Sequence, residues 1–304
     1  MLLDWQSLLQ SPFNPETQMT PIIGLASSGD GSQTDEPTAT EKQSPMVGKH
    51  DIRLLRAIAK NIDVPLASII QLELELFDSQ RGVIGGLDQE FLFCPRLDDK
   101  LCSYAAIMGL INSGGSRDAI SMVALFDDEE IGSLLRQGAK GHLVEMVVDR
   151  ILRKASPDVK SLTYSNSFFV SSDVTHAVNP NFTNAYLESH MPKLNTGMVV
   201  KLDPNGHTTS NSISTALAEA IARKAELELQ YFHIRNDSRS GGTIGPALSS
   251  ATGMRAVDCG IPQLSMHSVR ATTGTQDLGL GIKFFTSFFD NWTSIDGHFK
   301  KGGL

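Results

Sequence analysis

The sequence predicts an α/β domain whose mostly parallel mixed sheet is flanked by helices. Three observations carry that expectation. Short apolar runs end in polar or acidic residues, as Ser167-Phe168-Phe169-Val170 does before Asp173. The runs are continuous rather than alternating, which suits strands covered on both faces. Helical stretches fall between them, the order that builds parallel strands.

In chain order, Ala26 to Gln43 comes first, with no aromatic and no large aliphatic residue. Such a stretch cannot offset the entropy of ordering, so a mobile loop is expected over 26–43. Arg53 to Asn61 places Leu54, Leu55, Ile58 and Ala59 at helical spacing. Ile70, Leu72, Leu74 and Leu76 then alternate with Gln71, Glu73 and Glu75, the period of a half-buried strand. Further strands are expected at Phe91–Phe93, Met122–Phe126, Phe168–Val170, Met198–Val200, Tyr231–Ile234 and Arg255–Cys259. Helices are expected at Cys102–Asn112, Ile131–Val148, Ser212–Glu228 and Pro246–Thr252. No internal repeat is visible.

Length and charge narrow the function classes. The 304 residues suit one large domain or a domain and a half. Lys and Arg number 26 against 34 Asp and Glu, a net charge of −8 that disfavours a nucleic-acid partner or an anionic membrane. No apolar run approaches the ~20 residues of a membrane helix, and the first residues lack the basic and apolar regions of a secretory signal. The three cysteines, Cys94, Cys102 and Cys259, match no thiolate metal motif and cannot all pair.

Ligands of open α/β sheets bind beyond the carboxyl ends of strands, where this sequence repeatedly places carboxylates. Asp98-Asp99 follows one apolar run, Asp127-Asp128-Glu129-Glu130 a second and Asp173 a third, and His267 stands in Ser265-Met266-His267-Ser268. Adjacent carboxylates repel unless a cation lies among them. The alternative for the acidic quartet is a solvated loop, but Ile131-Gly132-Ser133 directly after it favours a packed turn. Asp98, Glu130, Asp173 and His267 together would suit zinc, manganese or cobalt. Two ions sharing a bridging carboxylate would relieve the crowding, with a remaining Glu as general base. His176, three residues after Asp173, is open between substrate contact and packing, whereas His50 and His142 read as structural or solvated. Gly241-Gly242-Thr243-Ile244-Gly245-Pro246 lacks the spacing of a phosphate loop. It reads either as backbone closely approaching a ligand or as a tight turn into a helix.

At these residues the sequence resembles the tetrahedral dinuclear-zinc aminopeptidases, the family of aspartyl aminopeptidase and vacuolar aminopeptidase I. The resemblance rests on Pro95-Arg96-Leu97-Asp98-Asp99, Phe126 through Ser133, and Ser172-Asp173-Val174-Thr175-His176-Ala177. It continues with Arg235-Asn236-Asp237-Ser238, Gly242 through Pro246, and Gly260 through Arg270. It implies Asp98 as the carboxylate bridging two Zn2+ ions, with Mn2+ or Co2+ as substitutes, and Glu130, Asp173 and His267 as terminal ligands. Glu129 would be the general base, His176 and Lys201 would contact substrate, and Thr243 and Gly245 would line the pocket.

The resemblance further implies a catalytic metallopeptidase domain over 89–304, preceded over 1–88 by the remainder of an inserted β-rich dimerisation domain. Family members begin with a longer segment that completes the sheet and adds a histidine to the metals. Phe13 to Ile23 resembles the middle of the inserted domain, so that segment is expected to be missing and the chain alone to be a weak enzyme. The implied activity is removal of an acidic or leucine-like N-terminal residue from peptides. The implied assembly is a dimer-based homo-oligomer, a dodecamer in the family, in the cytoplasm or the vacuolar or lysosomal lumen. The alternatives are a catalytically inactive fragment or assembly subunit, and a dinuclear-metal carboxypeptidase or deacylase.

Overall fold

Two units divide the chain, Met1–Phe77 and Asp78–Leu304, each with its own apolar cluster. The computed structural model describes residues 14–25, 36–116, 118–238 and 241–302.

In the first unit, Asn14 caps a single helical turn, α1 (Pro15–Gln18), by accepting the amides of Glu16 and Thr17. Asp51 likewise accepts the Arg53 amide and starts α2 (Ile52–Asn61), as the helical spacing predicts. Its Leu55 and Ala59 are buried against Met46, Leu66 and Ile69. Residues 26–35 of the expected mobile loop lie outside the described residues. Residues 36–43 end in a 3-10 turn, Glu41–Gln43, whose Glu41 pairs with Arg56 at 2.7 Å. The hydrogen bond from Arg56 holds the Glu41 carboxyl down at about 2. The strand expected from Ile70 to Leu76 does not form: only Leu72 leans on the cluster, while Ile70, Leu74 and Leu76 are exposed. Alternation creates a strand only where a neighbour completes the ladder, and among the described residues none pairs with it.

The second unit is a mixed α/β structure. Its four-stranded sheet has the order β3 (Phe168–Ser171), β7 (Arg255–Gly260), β5 (Val199–Leu202), β6 (Gln230–His233). β3 and β7 run parallel, with Ser171 beside Asp258, and β5 and β6 also run parallel. The central pair, β7 and β5, is antiparallel, with Val200 opposite Cys259. Val199, Val200 and Val257 are fully buried, which is why their runs are continuously apolar. A separate antiparallel sheet joins β1 (Val83–Gly85), β2 (Phe91–Cys94) and β9 (Ala271–Gly274). Two short strands, β4 (Thr175–His176) and β8 (Pro262–Gln263), pair in parallel next to them in sequence.

Helices α3 (Leu97–Asn112), α4 (Leu143–Ile151), α5 (Pro157–Asn166), α6 (Ser212–Lys224), α7 (Gly245–Thr252) and α8 (Asp277–Lys300) complete the unit. α3, α6 and α8 supply Ala105, Ile221 and Phe284 to the main core. At Gly109 a Cβ would fall 2.3 Å from the Phe285 Cβ, so the α3–α8 crossing needs glycine. Neither α5 nor α8 is predicted by the sequence reading.

Two further expectations are corrected here. Met122–Phe126 forms no strand; Met122 and Leu125 are exposed, Val123 and Phe126 pack inward, and no described segment pairs with the run. Ile131–Val148 is not one helix. Gly132, Ser133 and His142 all have positive φ, and Gly138 and Gly141 press against the backbone of Ser133 and Arg136. The apolar spacing there belongs to a tight loop, and helix starts only at Leu143.

Candidate metal centre

The donors are presented by turns rather than by regular structure. Arg96, at φ 57°, swings the chain out of β2, and Asp98 and Asp99 take non-helical backbone angles before α3 continues. Asp128, at φ 61°, opens the 3-10 turn Glu129–Ile131, and Gly132 at φ 97° closes it. Ser265 and His267 are also left-handed, at 58° and 62°. Left-handed geometry costs a non-glycine residue about 1–2 kcal/mol, so its recurrence beside the donors marks a site that the surrounding fold holds in place.

These turns bring donor atoms of Asp98, Glu130 and His267 within 4.8 Å of one another. The His267 Nε2 stands 3.1 Å from an Asp98 carboxylate oxygen and 3.2 Å from one of Glu130. Asp98 is sheltered, whereas the His267 and Glu130 side chains are 62% and 59% exposed. Asp173, just beyond β3, is close enough to Asp98 to raise its carboxyl pKa and lies 3.5 Å from the Lys201 Nζ. Burial, then the Asp173 and Glu130 carboxylates, push the Asp98 carboxyl up to about 7. Burial and the Asp173 charge also raise Asp99 far above the ordinary carboxyl range. Glu129 is raised by burial and then by Asp173 and Glu130.

Crowded carboxylates that repel one another are the arrangement a divalent cation relieves, because the ion replaces mutual repulsion with attraction. Two carboxylate oxygens and an imidazole nitrogen at these separations suit an ion bonded at roughly 2.0–2.2 Å. The residues present therefore fit the metal chemistry expected from the sequence.

Around the cluster, Lys201 in β5 is only 7% exposed and donates to the Val174 carbonyl at 3.1 Å. Burial alone would lower its ammonium pKa; Asp173 and then Asp258 outweigh burial and hold it raised. His176, in β4, sets its ring edge against Phe232 with centroids 6.3 Å apart. The packing around it, then the Lys201 cation, lower its pKa. Thr243 and Gly245 belong to a neighbouring network rather than to the donor cluster. The Thr243 hydroxyl donates to Asp258 at 2.6 Å and accepts the Gly245 amide at 3.3 Å. His142 is exposed and contacts Glu145, and His50 is exposed, as expected for solvated histidines. The sequence reading passed over Asp258 and Thr209. A lone Asp inside the apolar run Arg255–Cys259 was the available signal.

A mixed sheet together with a cluster of two carboxylates and an imidazole defines an α/β protein with a candidate metal centre. Comparison with known proteins is specific. The chain belongs to the aminopeptidase I zinc metalloprotease family, M18, whose model matches residues 3–289. It is 50% identical over 299 residues to vacuolar aminopeptidase 1 of Saccharomyces cerevisiae, covering 95% of this chain and 58% of that one. It is 39% identical to the aspartyl aminopeptidase of Aspergillus oryzae, covering 93% of this chain and 64% of the relative. Among solved structures, the Saccharomyces cerevisiae mApe1 dodecamer superposes with TM-score 0.79 at 48% identity, over 87% of this chain and 60% of that chain. The chain thus spans about three fifths of the length of these relatives. Among the described residues no helix is long and apolar enough to cross a membrane.

Proposed function

We propose that this chain carries the site of a zinc aminopeptidase that removes an acidic or leucine-like N-terminal residue from peptides. The observation that carries the reading is the cluster of Asp98, Glu130 and His267, with the Asp173 carboxylate raising the Asp98 pKa, in a chain of the M18 family. Asp98 would bridge two Zn2+ ions, with Mn2+ or Co2+ as substitutes, and Glu130, Asp173 and His267 would be terminal ligands. Bound there, the metal would supply Lewis acidity toward water and the scissile carbonyl.

The chain's own groups do the rest. The raised pKa of Glu129 suits a group that accepts a proton from water and returns it to the leaving amine. Lys201 and His176 would contact the substrate, and Thr243 and Gly245 would line its pocket. The reading gives the pair one bridging and three terminal donors among the described residues, Asp98 with Glu130, Asp173 and His267.

Likeness to a dodecamer supports a dimer-based homo-oligomer, and likeness to a vacuolar enzyme supports the vacuole, with cytoplasm the other compartment consistent with the reading. The decisive experiment measures metal per chain and hydrolysis of a panel of aspartyl, glutamyl, leucyl and N-blocked substrates. Metal binding with cleavage restricted to free N-termini supports the reading. Metal-free protein, or cleavage from the carboxyl end, rejects it.

A further inference from the structure

We propose that Asp258 is the positioning residue of the substrate pocket, fixing through Thr209 and Thr243 two loops that meet over the middle of the sheet. The inference rests on the aminopeptidase reading and extends it to a residue outside the metal cluster. Asp258 is 0% exposed, in a strand otherwise apolar between Ala256 and Cys259. A carboxylate without exposure needs donors, and every donor it receives comes from a loop rather than from the sheet. One oxygen accepts both the backbone amide and the hydroxyl of Thr209, the latter at 2.8 Å. The other accepts the Thr243 hydroxyl at 2.6 Å. Its backbone is tied to the same loop, since the Asp258 amide donates to the Ser210 hydroxyl at 3.0 Å.

Gly245 completes the arrangement. A Cβ there would fall 2.7 Å from one Asp258 oxygen and 3.1 Å from the other, so the loop entering α7 lies directly on the carboxylate. The Thr243 hydroxyl passes the constraint along by accepting the Gly245 amide. On the other side, β5 and β7 pair Val200 with Cys259, which places Lys201 next to Asp258 across the ladder. Asp258 thus joins the Thr243–Gly245 turn and the Thr209 loop to the strand that bears Lys201. It touches neither the donor cluster nor substrate, so its contribution is the aim of the pocket.

The single substitutions that test this keep shape. Thr243→Val removes the hydroxyl, Thr243→Ser retains it, and Asp258→Asn presents an amide NH2 to one of the two donating arms. The metal-loaded full chain and each variant are compared for hydrolysis of aminoacyl substrates, for calorimetric binding of free aspartate and leucine, and for metal content. We expect Thr243→Val and Asp258→Asn to raise KM and weaken amino-acid binding about tenfold, as loss of one buried hydrogen bond does, with kcat and metal content within about twofold of wild type. Thr243→Ser should restore both. If Asp258→Asn fails to fold, Thr209→Val against Thr209→Ser decides the matter, because Thr209 holds the other carboxylate oxygen and is not among the residues that line the pocket. Unchanged KM and binding in Thr209→Val, or an equal fall in kcat without a change in KM, overturns the positioning role while leaving the aminopeptidase reading intact. A wild-type chain that neither cleaves nor binds the amino acids overturns both.

Discussion

His267 and Glu129 sit in one cluster, yet the proposal asks different work of them, and substitution separates the two. His267 offers an imidazole nitrogen about equally far from two carboxylates, 3.1 and 3.2 Å. His267→Ala should therefore lower the zinc content per chain, read by atomic absorption; an unchanged content would remove His267 from the ligand set. Glu129 is asked to move a proton rather than to hold an ion. Glu129→Gln should cut turnover by about 10²–10⁴ while metal content stays near wild type. Loss of metal with a modest loss of rate would instead exchange the roles of Glu129 and Glu130. A third residue, Asp277, gives a pH prediction away from the metals. Its one oxygen accepts the amides of Asn195 and Gly274, both at 2.9 Å, while its other is buried with no hydrogen-bond partner among the described residues. Burial outweighs those amides and raises its pKa above 3.8. The folded state then holds its proton longer than the unfolded chain, so this group's contribution to stability is lost as pH rises from about 4 through the raised value. Melting of Asp277→Asn should gain on wild type between pH 4.5 and pH 8; a gap that stays constant would discard the assignment.

Packing between elements is most exacting where α3 crosses α8. Gly109→Ala would drive a methyl into Phe285 and should cost about 1–3 kcal/mol, seen as a lower denaturant midpoint with an unchanged slope. A neutral result would mean that the helices separate without penalty. The same crossing shows why some elements were legible in the sequence and others were not. Strands such as Val199–Leu202 and Arg255–Gly260 announce themselves because burial on both faces makes Met198–Val200 and Ala256-Val257 apolar, with only Lys201 and Asp258 breaking the pattern inside them. Met122–Phe126 carries the same pattern, yet a strand is a relation between two segments and one run cannot specify its partner. α8 was missed because Phe284, Phe285, Phe288 and Phe289 crowd it, Gly279 and Gly281 interrupt it, and no side chain caps its start. The acidic donors could be picked out because Asp98, Glu130 and Asp173 each follow an apolar run, and His267 through the motif around it. Asp258 could not, since a single acid inside a hydrophobic run shows its value only once Thr209 and Thr243 arrive from elsewhere in the chain.

At the scale of the molecule, the two parallel strand pairs meet along an antiparallel seam, so the chain must return to the centre of the sheet late, through β7. In chain order Asp98 precedes every strand of that sheet, Asp173 follows its first strand, and His267 comes after its last. Apart from the adjacent Glu129 and Glu130, the candidate ligands and general base are gathered from segments far apart in sequence. Loop-closure entropy must be met before such groups can meet. Time, rather than affinity, then becomes the quantity that this topology controls. During refolding, capture of an ion should lag behind helix formation and coincide with the last cooperative phase. A metal-sensitive dye followed beside circular dichroism in a stopped-flow mixer would record that order, and uptake in the earliest phase would mean that a local pair such as Glu129 and Glu130 suffices to begin it.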